Sequence, residues 1–215
     1  MGVITRGLVT KGIVAPALPI FVTTTINTPF TGASTVSQTP TSPITRGDLM
    51  ISVISTTAPG AVSWTTPAGW TEVVDTGAPP NLHVSWKIAA STETAAIWTP
   101  SNTLGGIAMI LGFRNALIDA VGSAPTPVTG TNTFTVPAIT TTVNNAIVVL
   151  VTAGSTHTGF NGIAGYTIIN GQVNTAAIQA QYKLQPIAGS TGTQSYNFSS
   201  GSGNAVGVLI SIKPT

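Results

Sequence analysis

Apolar residues along this chain come in two arrangements. Leu49-Met50-Ile51-Ser52-Val53-Ile54 and residues 146–151 are short, nearly continuous apolar runs, while Leu82-His83-Val84-Ser85-Trp86-Lys87-Ile88 alternates apolar with polar. Both signal strands when Gly, Pro, Asn and Ser bound them. The pattern predicts strands over 19–25, 48–56, 70–74, 82–89, 95–99 and 105–114. It predicts a second series over 118–122, 132–139, 146–152, 165–169, 177–184, 195–199 and 205–213. Residues 27–42, dense in Thr, Ser, Gly and Pro, read as mostly loop. Asn161-Gly162 and Asn170-Gly171 read as tight hairpin turns. Ile107-Ala108-Met109-Ile110-Leu111-Gly112-Phe113, continued through 115–121, also fits a helix by periodicity. Its counterpart at 205–213 is rich in Val and Ile and alternates, so both read as strands. No segment combines helical periodicity with caps.

The two series are copies. Gly69-Trp70-Thr71 returns as Gly165-Tyr166-Thr167, and Trp86-Lys87 returns as Tyr182-Lys183, both after the same 96-residue step. An internal repeat of this kind decides the architecture before any local detail does. The chain therefore reads as all-β: an extended N-terminal arm at 1–16, then a jelly-roll-like β-sandwich at 17–215 built from an internal duplication, with repeats at about 17–114 and 116–213. The copies either form two separate sandwiches or interleave in one. Residues 113–119 lack the Gly/Pro/Ser-rich break usual at a domain boundary, which favours one. The arm holds two β-prone halves, and Ile4, Arg6, Leu8, Lys11, Ile13 and Val14 are its candidate assembly contacts. The competing reading is an edge strand of the same domain.

Composition sharpens this picture. Only 6% of the 215 residues are charged, against about a quarter in ordinary soluble domains. So weakly charged a surface repels its own copies weakly, and self-association is expected. The net charge is +2, with no basic cluster to follow phosphates, which excludes a nucleic-acid partner. There is no cysteine, hence no disulfide framework or thiolate metal site. The apolar runs are too short for a membrane-spanning helix, and a membrane partner is not expected. Pro16 and Pro19 interrupt the apolar stretch 12–22 that a signal peptide would need.

Catalytic chemistry has little to work with. The acids are Asp48, Glu72, Asp75, Glu93 and Asp119. Glycoside hydrolysis needs two of them facing one site. Asp48 beside Arg46 suits a turn or an ion pair, Glu72 reads as solvent-facing, and Asp75 opens a loop. The two histidines are His83, at a polar outward position matching Gln179, and His157 in a loop. No G-x-S-x-G elbow accompanies them, and the ligand inventory is thin for a metal. No catalytic, metal or cofactor-binding residue is assigned, no cofactor is expected, and the chain does not read as an enzyme. Trp70, Trp86 and Trp98 recur as Tyr166, Tyr182 and Phe198, and read as core aromatics. Exposed, they would stack on sugars instead. Lys87 and Lys183 read as a solvated face.

One order of short motifs carries a resemblance. Gly47-Asp48-Leu49 is followed by Pro67-Ala68-Gly69-Trp70-Thr71, by Trp86-Lys87-Ile88-Ala89 with Glu93, and by Gly112-Phe113-Arg114-Asn115-Ala116. Ile118-Asp119-Ala120 and Pro137-Ala138-Ile139-Thr140-Thr141-Thr142 complete it. Over residues 40–213 this series resembles a duplicated PAGWT-type β-sandwich module of bacterial surface proteins and tailed-phage virion proteins. The resemblance implies a structural role with no catalytic residue to carry over. The protein looks like a bacteriophage capsid decoration (cement) protein: a homo-oligomer, plausibly a trimer, on the outer capsid surface, with the major capsid protein as partner. The alternative it implies is a tail-fibre or surface adhesin module that binds host glycan.

Overall fold

The computed structural model describes residues 16–26, 29–57, 60–123, 125–174 and 176–215. The arm residues Ile4, Arg6, Leu8, Lys11, Ile13 and Val14 lie outside them. Among the described residues there is no helix. The strands of the first half are β1 (Ile20–Ile26), β2 (Phe30–Ala33), β3 (Val36–Gln38), β4 (Leu49–Thr56), β5 (Trp64–Thr65), β6 (Thr71–Asp75), β7 (Asn81–Ile88), β8 (Ala96–Pro100) and β9 (Leu104–Arg114). The second half adds β10 (Ala116–Val121), β11 (Val128–Thr131), β12 (Thr133–Val136), β13 (Thr140–Thr141), β14 (Ala146–Ser155), β15 (Thr167–Val173), β16 (Ala176–Gln185), β17 (Gly189–Ser190), β18 (Gln194–Asn197) and β19 (Gly203–Pro214).

Two large antiparallel sheets carry one topology twice. The first runs β1-β9-β4-β7-β6, with β2 also beside β9. The second runs β10-β19-β14-β16-β15, with β11 also beside β19. Short sheets accompany each: β3-β8-β5 in the first half, β12-β18 and β13-β17 in the second. No sheet mixes strands of the two halves among the described residues. This corrects the interleaving of the two copies expected above. The physical reason is local pairing. In each half the first strand closes on the last one, β1 on β9 and β10 on β19, so neither half needs a strand from the other.

The halves meet face to face instead. Leu49, Ile51 and Val53 of β4 and Ile107, Met109 and Leu111 of β9 pack with Val149 and Val151 of β14 and Val208 and Ile210 of β19 in a central core. The opposite faces of both large sheets are covered too. Met50, Ile54, Ala108 and Ile110 pack with Trp64, Trp70 and Trp98. Val148, Leu150 and Leu209 pack with Phe134, Tyr196 and Phe198. All eight residues of β4 are consequently buried. Strands buried on both faces read as continuous apolar runs, a pattern better known from parallel sheets. That is why β4, β9 and β14 do not alternate in sequence. Each aliphatic buried there contributes about 1.5–3 kcal/mol.

Asn115 alone separates β9 from β10, at φ 54°, and carries the chain from one large sheet to the facing one. Asparagine visits this left-handed region more readily than most residues. Its carbonyl accepts the Thr215 N–H at 3.3 Å, and its amide donates to the Leu18 carbonyl at 3.5 Å. The repeated Ala-Gly-aromatic motif is also explained. The Trp70 N–H donates to the Pro67 carbonyl at 3.1 Å and the Tyr166 N–H to the Ile163 carbonyl at 3.0 Å. Gly69 and Gly165, both at φ +82°, fill the third position of these turns, where a side chain would be strained.

Two further expectations are corrected. Residues 27–42 contain β2 and β3, short strands recruited by β9 and β8 despite their Thr/Ser/Gly content. Asn170-Gly171 is not a hairpin turn. It lies inside β15, just after a bulge.

Candidate functional site

Among the described residues, two ion pairs and one cation–π contact engage five of the ten charged side chains. The Arg114 guanidinium donates to both Asp48 oxygens, Nε at 3.0 Å and Nη2 at 2.9 Å, and also to the Pro43 carbonyl and the Thr45 hydroxyl. The partner of Asp48 is thus Arg114, 66 residues away, rather than Arg46. Burial alone would raise the Asp48 carboxyl, but Arg114 and the Thr45 N–H and hydroxyl outweigh it and hold it below its ordinary value. Asp119 follows the same pattern. Burial raises it, while Thr142, Ser211 and nearby Lys213 bring it down overall. Lys87 and Glu93 pair at 2.8 Å, and the Ala90 N–H closes on Glu93 at 2.6 Å. The Lys183 ammonium sits 4.9 Å from the centre of the Tyr166 ring.

A pH prediction follows from the two depressed carboxyls. Their stabilisation is complete above the ordinary aspartate value of 3.8 and is lost as pH falls through the lower folded values. A titration of Tm from pH 7 to 2 is expected to fall below about pH 4. Asp48→Ala should cost about 2 kcal/mol at pH 7, lower Tm by about 4–8 °C, and flatten the acid limb. An unchanged acid limb would refute the assignment.

The remaining titratable cluster is Glu72, Asp75 and His83, the group among the described residues whose ligand-type atoms all lie within 4.8 Å of one another. A bulge assembles it. β6 pairs with β7 as Glu72↔Ser85 and then Val74↔Val84, so Val73 is an extra residue. Residues three apart on a regular strand face opposite ways; the bulge puts Glu72 and Asp75 on one face while Val73 and Val74 both turn to the central core. Asp75 lies directly across from His83. The His83 Nδ1 is 3.6 Å from Glu72 Oε2.

His83 takes the outward position expected for it, but is buried there. It points away from the central core, yet it is 0% exposed because the Trp64 ring lies over it at 5.5 Å. Burial lowers its pKa to about 4, so the imidazole is neutral at pH 7. Neither ring nitrogen has a hydrogen-bond partner. Burial also raises the Asp75 carboxyl, with Glu72 adding to the rise against the pull of Gly77 and Trp64 backbone groups. His157 is buried as well, stacked on Phe198 at 3.9 Å and 6°.

Trp98 and Phe198 are wholly buried and Trp70 nearly so; Trp86, Tyr166 and Tyr182 are partly buried against the cores. None of the four Trp, three Tyr and six Phe is exposed. The exposed large side chains are aliphatic. Leu18, Ile20 and Leu117 gather around the Asn115 crossover: Asn115 holds the Leu18 carbonyl, Ile20 opposes Arg114, and Leu117 is two residues past Asn115. β1 and β10 are edge strands of their sheets there. Residues 16 and 17 lead directly into this rim.

Taken together, fold and surface define a layered all-β sandwich protein with paired charges and an apolar rim. No protein-family model, no curated protein and no solved structure matches the chain.

Proposed function

We propose that the protein is a non-enzymatic structural protein of a virion: a capsid decoration protein that stabilises a phage head by binding its shell as a homo-oligomer. The observation that carries this reading is the apolar rim of Leu18, Ile20 and Leu117, with Ile20 and Leu117 on two edge strands. Edge strands present unpaired backbone groups to a neighbouring chain. The residues leading into the rim include Ile4, Leu8, Ile13 and Val14, whose burial on a neighbour would contribute about 25 cal/mol per Å². Many such contacts on one shell add by avidity. The low charge content and the motif resemblance support the same reading. The glycan-binding alternative lacks the exposed aromatic ring on which a sugar stacks.

Quantitative mass spectrometry of purified particles tests the proposal. The expected result is a copy number comparable to that of the coat protein, and absence from particles refutes it. Deleting residues 1–14 is expected to abolish shell binding while the sandwich keeps its Tm. Full binding by the truncated chain would sink the role given to the arm.

A further inference from the structure

We propose that Glu72, Asp75 and His83 form a binding site for a divalent transition-metal ion, with one imidazole nitrogen and two carboxylates as ligands. Three observations carry this. First, the bulge at Val73 brings two acids to one face of β6 that regular pairing would separate, and sets them against His83. Second, His83 is completely buried with both nitrogens unpartnered, an arrangement costly for a polar group unless something occupies it. One of those nitrogens lies 3.6 Å from a Glu72 oxygen. Ligand bonds of about 2.1 Å at tetrahedral angles put ligand atoms about 3.4 Å apart.

Third, the second half holds the same scaffold without the triad. β15 carries the matching bulge, with Ile169 as the extra residue. At the positions equivalent to Glu72, Asp75 and His83 stand Ile168, Gly171 and Gln179. Gln179 is satisfied there, accepting from the Tyr196 hydroxyl at 2.7 Å and from Gln181 Nε2 at 3.4 Å. The fold therefore builds this corner without charge, and the triad in the first half answers to something other than folding.

The surroundings fit a metal. Two carboxylates offset the charge of a divalent ion, and a neutral imidazole with borderline-soft nitrogen selects Zn²⁺-type ions over Mg²⁺ or Ca²⁺. The Thr66 hydroxyl donates to Glu72 Oε2 at 3.1 Å and the Gly77 N–H to Asp75 Oδ1 at 3.1 Å, which orients both carboxylates. Trp64 closes the site from above, and the exposed side of Glu72 leaves a path for the ion.

The test is calorimetric titration of chelator-dialysed full-length protein with ZnCl₂. One site per chain is expected in the native sequence. Affinity should fall at least tenfold in Glu72→Gln, a change at an exposed side chain, and be lost in His83→Gln, which installs the residue the second half uses. Glu93→Gln should leave it unchanged. Absence of binding, or equal affinity in native protein and Glu72→Gln, would overturn the proposal. If His83→Gln does not fold, Glu72→Gln and Asp75→Asn decide the matter between them.

Discussion

Val149→Asp is expected to abolish the cooperative folding transition. Val149 lies midway along β14, is 0% exposed, and faces the central core between the two large sheets. A carboxylate there has no cation to meet. Burying it unpaired, or protonating it to avoid that, costs several kcal/mol. The whole stability of a domain is about 5–15 kcal/mol, so one such substitution takes most of it. The same change at Ile187, 73% exposed, should shift stability by at most about 0.5 kcal/mol. Thermal denaturation of both variants is the measurement. The comparison also tests the architecture. Were the halves two separate sandwiches with solvated facing surfaces, Val149→Asp would behave like Ile187→Asp. A cooperative, near-native melt for Val149→Asp would therefore refute the face-to-face packing.

The second large effect belongs to Trp98→Ala. Trp98 is the largest fully buried side chain. It lies edge-on to Trp70 at 4.9 Å, and its indole N–H donates to the Ser85 hydroxyl at 3.1 Å. Truncation removes the ring's transfer energy, leaves a cavity in a core that cannot close around it, and orphans Ser85. The expected cost is about 3–5 kcal/mol, a fall in Tm of roughly 10 °C. Trp98→Phe should recover part of this by refilling the space, without restoring the hydrogen bond. A loss below about 1 kcal/mol for Trp98→Ala would contradict the burial assigned here.

The chain announces its strands where burial is two-sided. The runs that became β4, β9, β14 and β19 are mostly apolar because a polar side chain buried on either face loses its water. Ser52 shows the exception, accepting from Gln38 Nε2 at 2.6 Å. Six of the short strands, β2, β3, β5, β11, β13 and β17, were not legible, whereas β8, β12 and β18 were. β2 and β3 are interrupted or flanked by Gly and Thr, and they exist because longer partners already present an edge. The Glu72/Asp75/His83 cluster was hidden for two reasons. No glycine marks the bulge at Val73, so simple alternation misplaces Asp75. The lid over His83 is Trp64, a residue from a separate two-residue strand whose position only tertiary structure fixes. The ion pair of Asp48 was legible in kind but not in partner, because Arg46 is the near cation in sequence and Arg114 the near one in space.

The one-residue passage at Asn115 has a consequence for synthesis. The first half can complete its large sheet once β9 has emerged, since β1 and β9 close it without any later strand. Its inner face, lined by Leu49, Ile51 and Val53, then stands bare toward the solvent. Its cover is the half still being made. At about 5–20 residues per second, the roughly 100 residues that follow take about 5–20 s. During that interval each nascent chain offers an unfinished apolar sheet to its neighbours on the same messenger, and chaperone capture or premature pairing between chains competes with the arrival of β14 and β19.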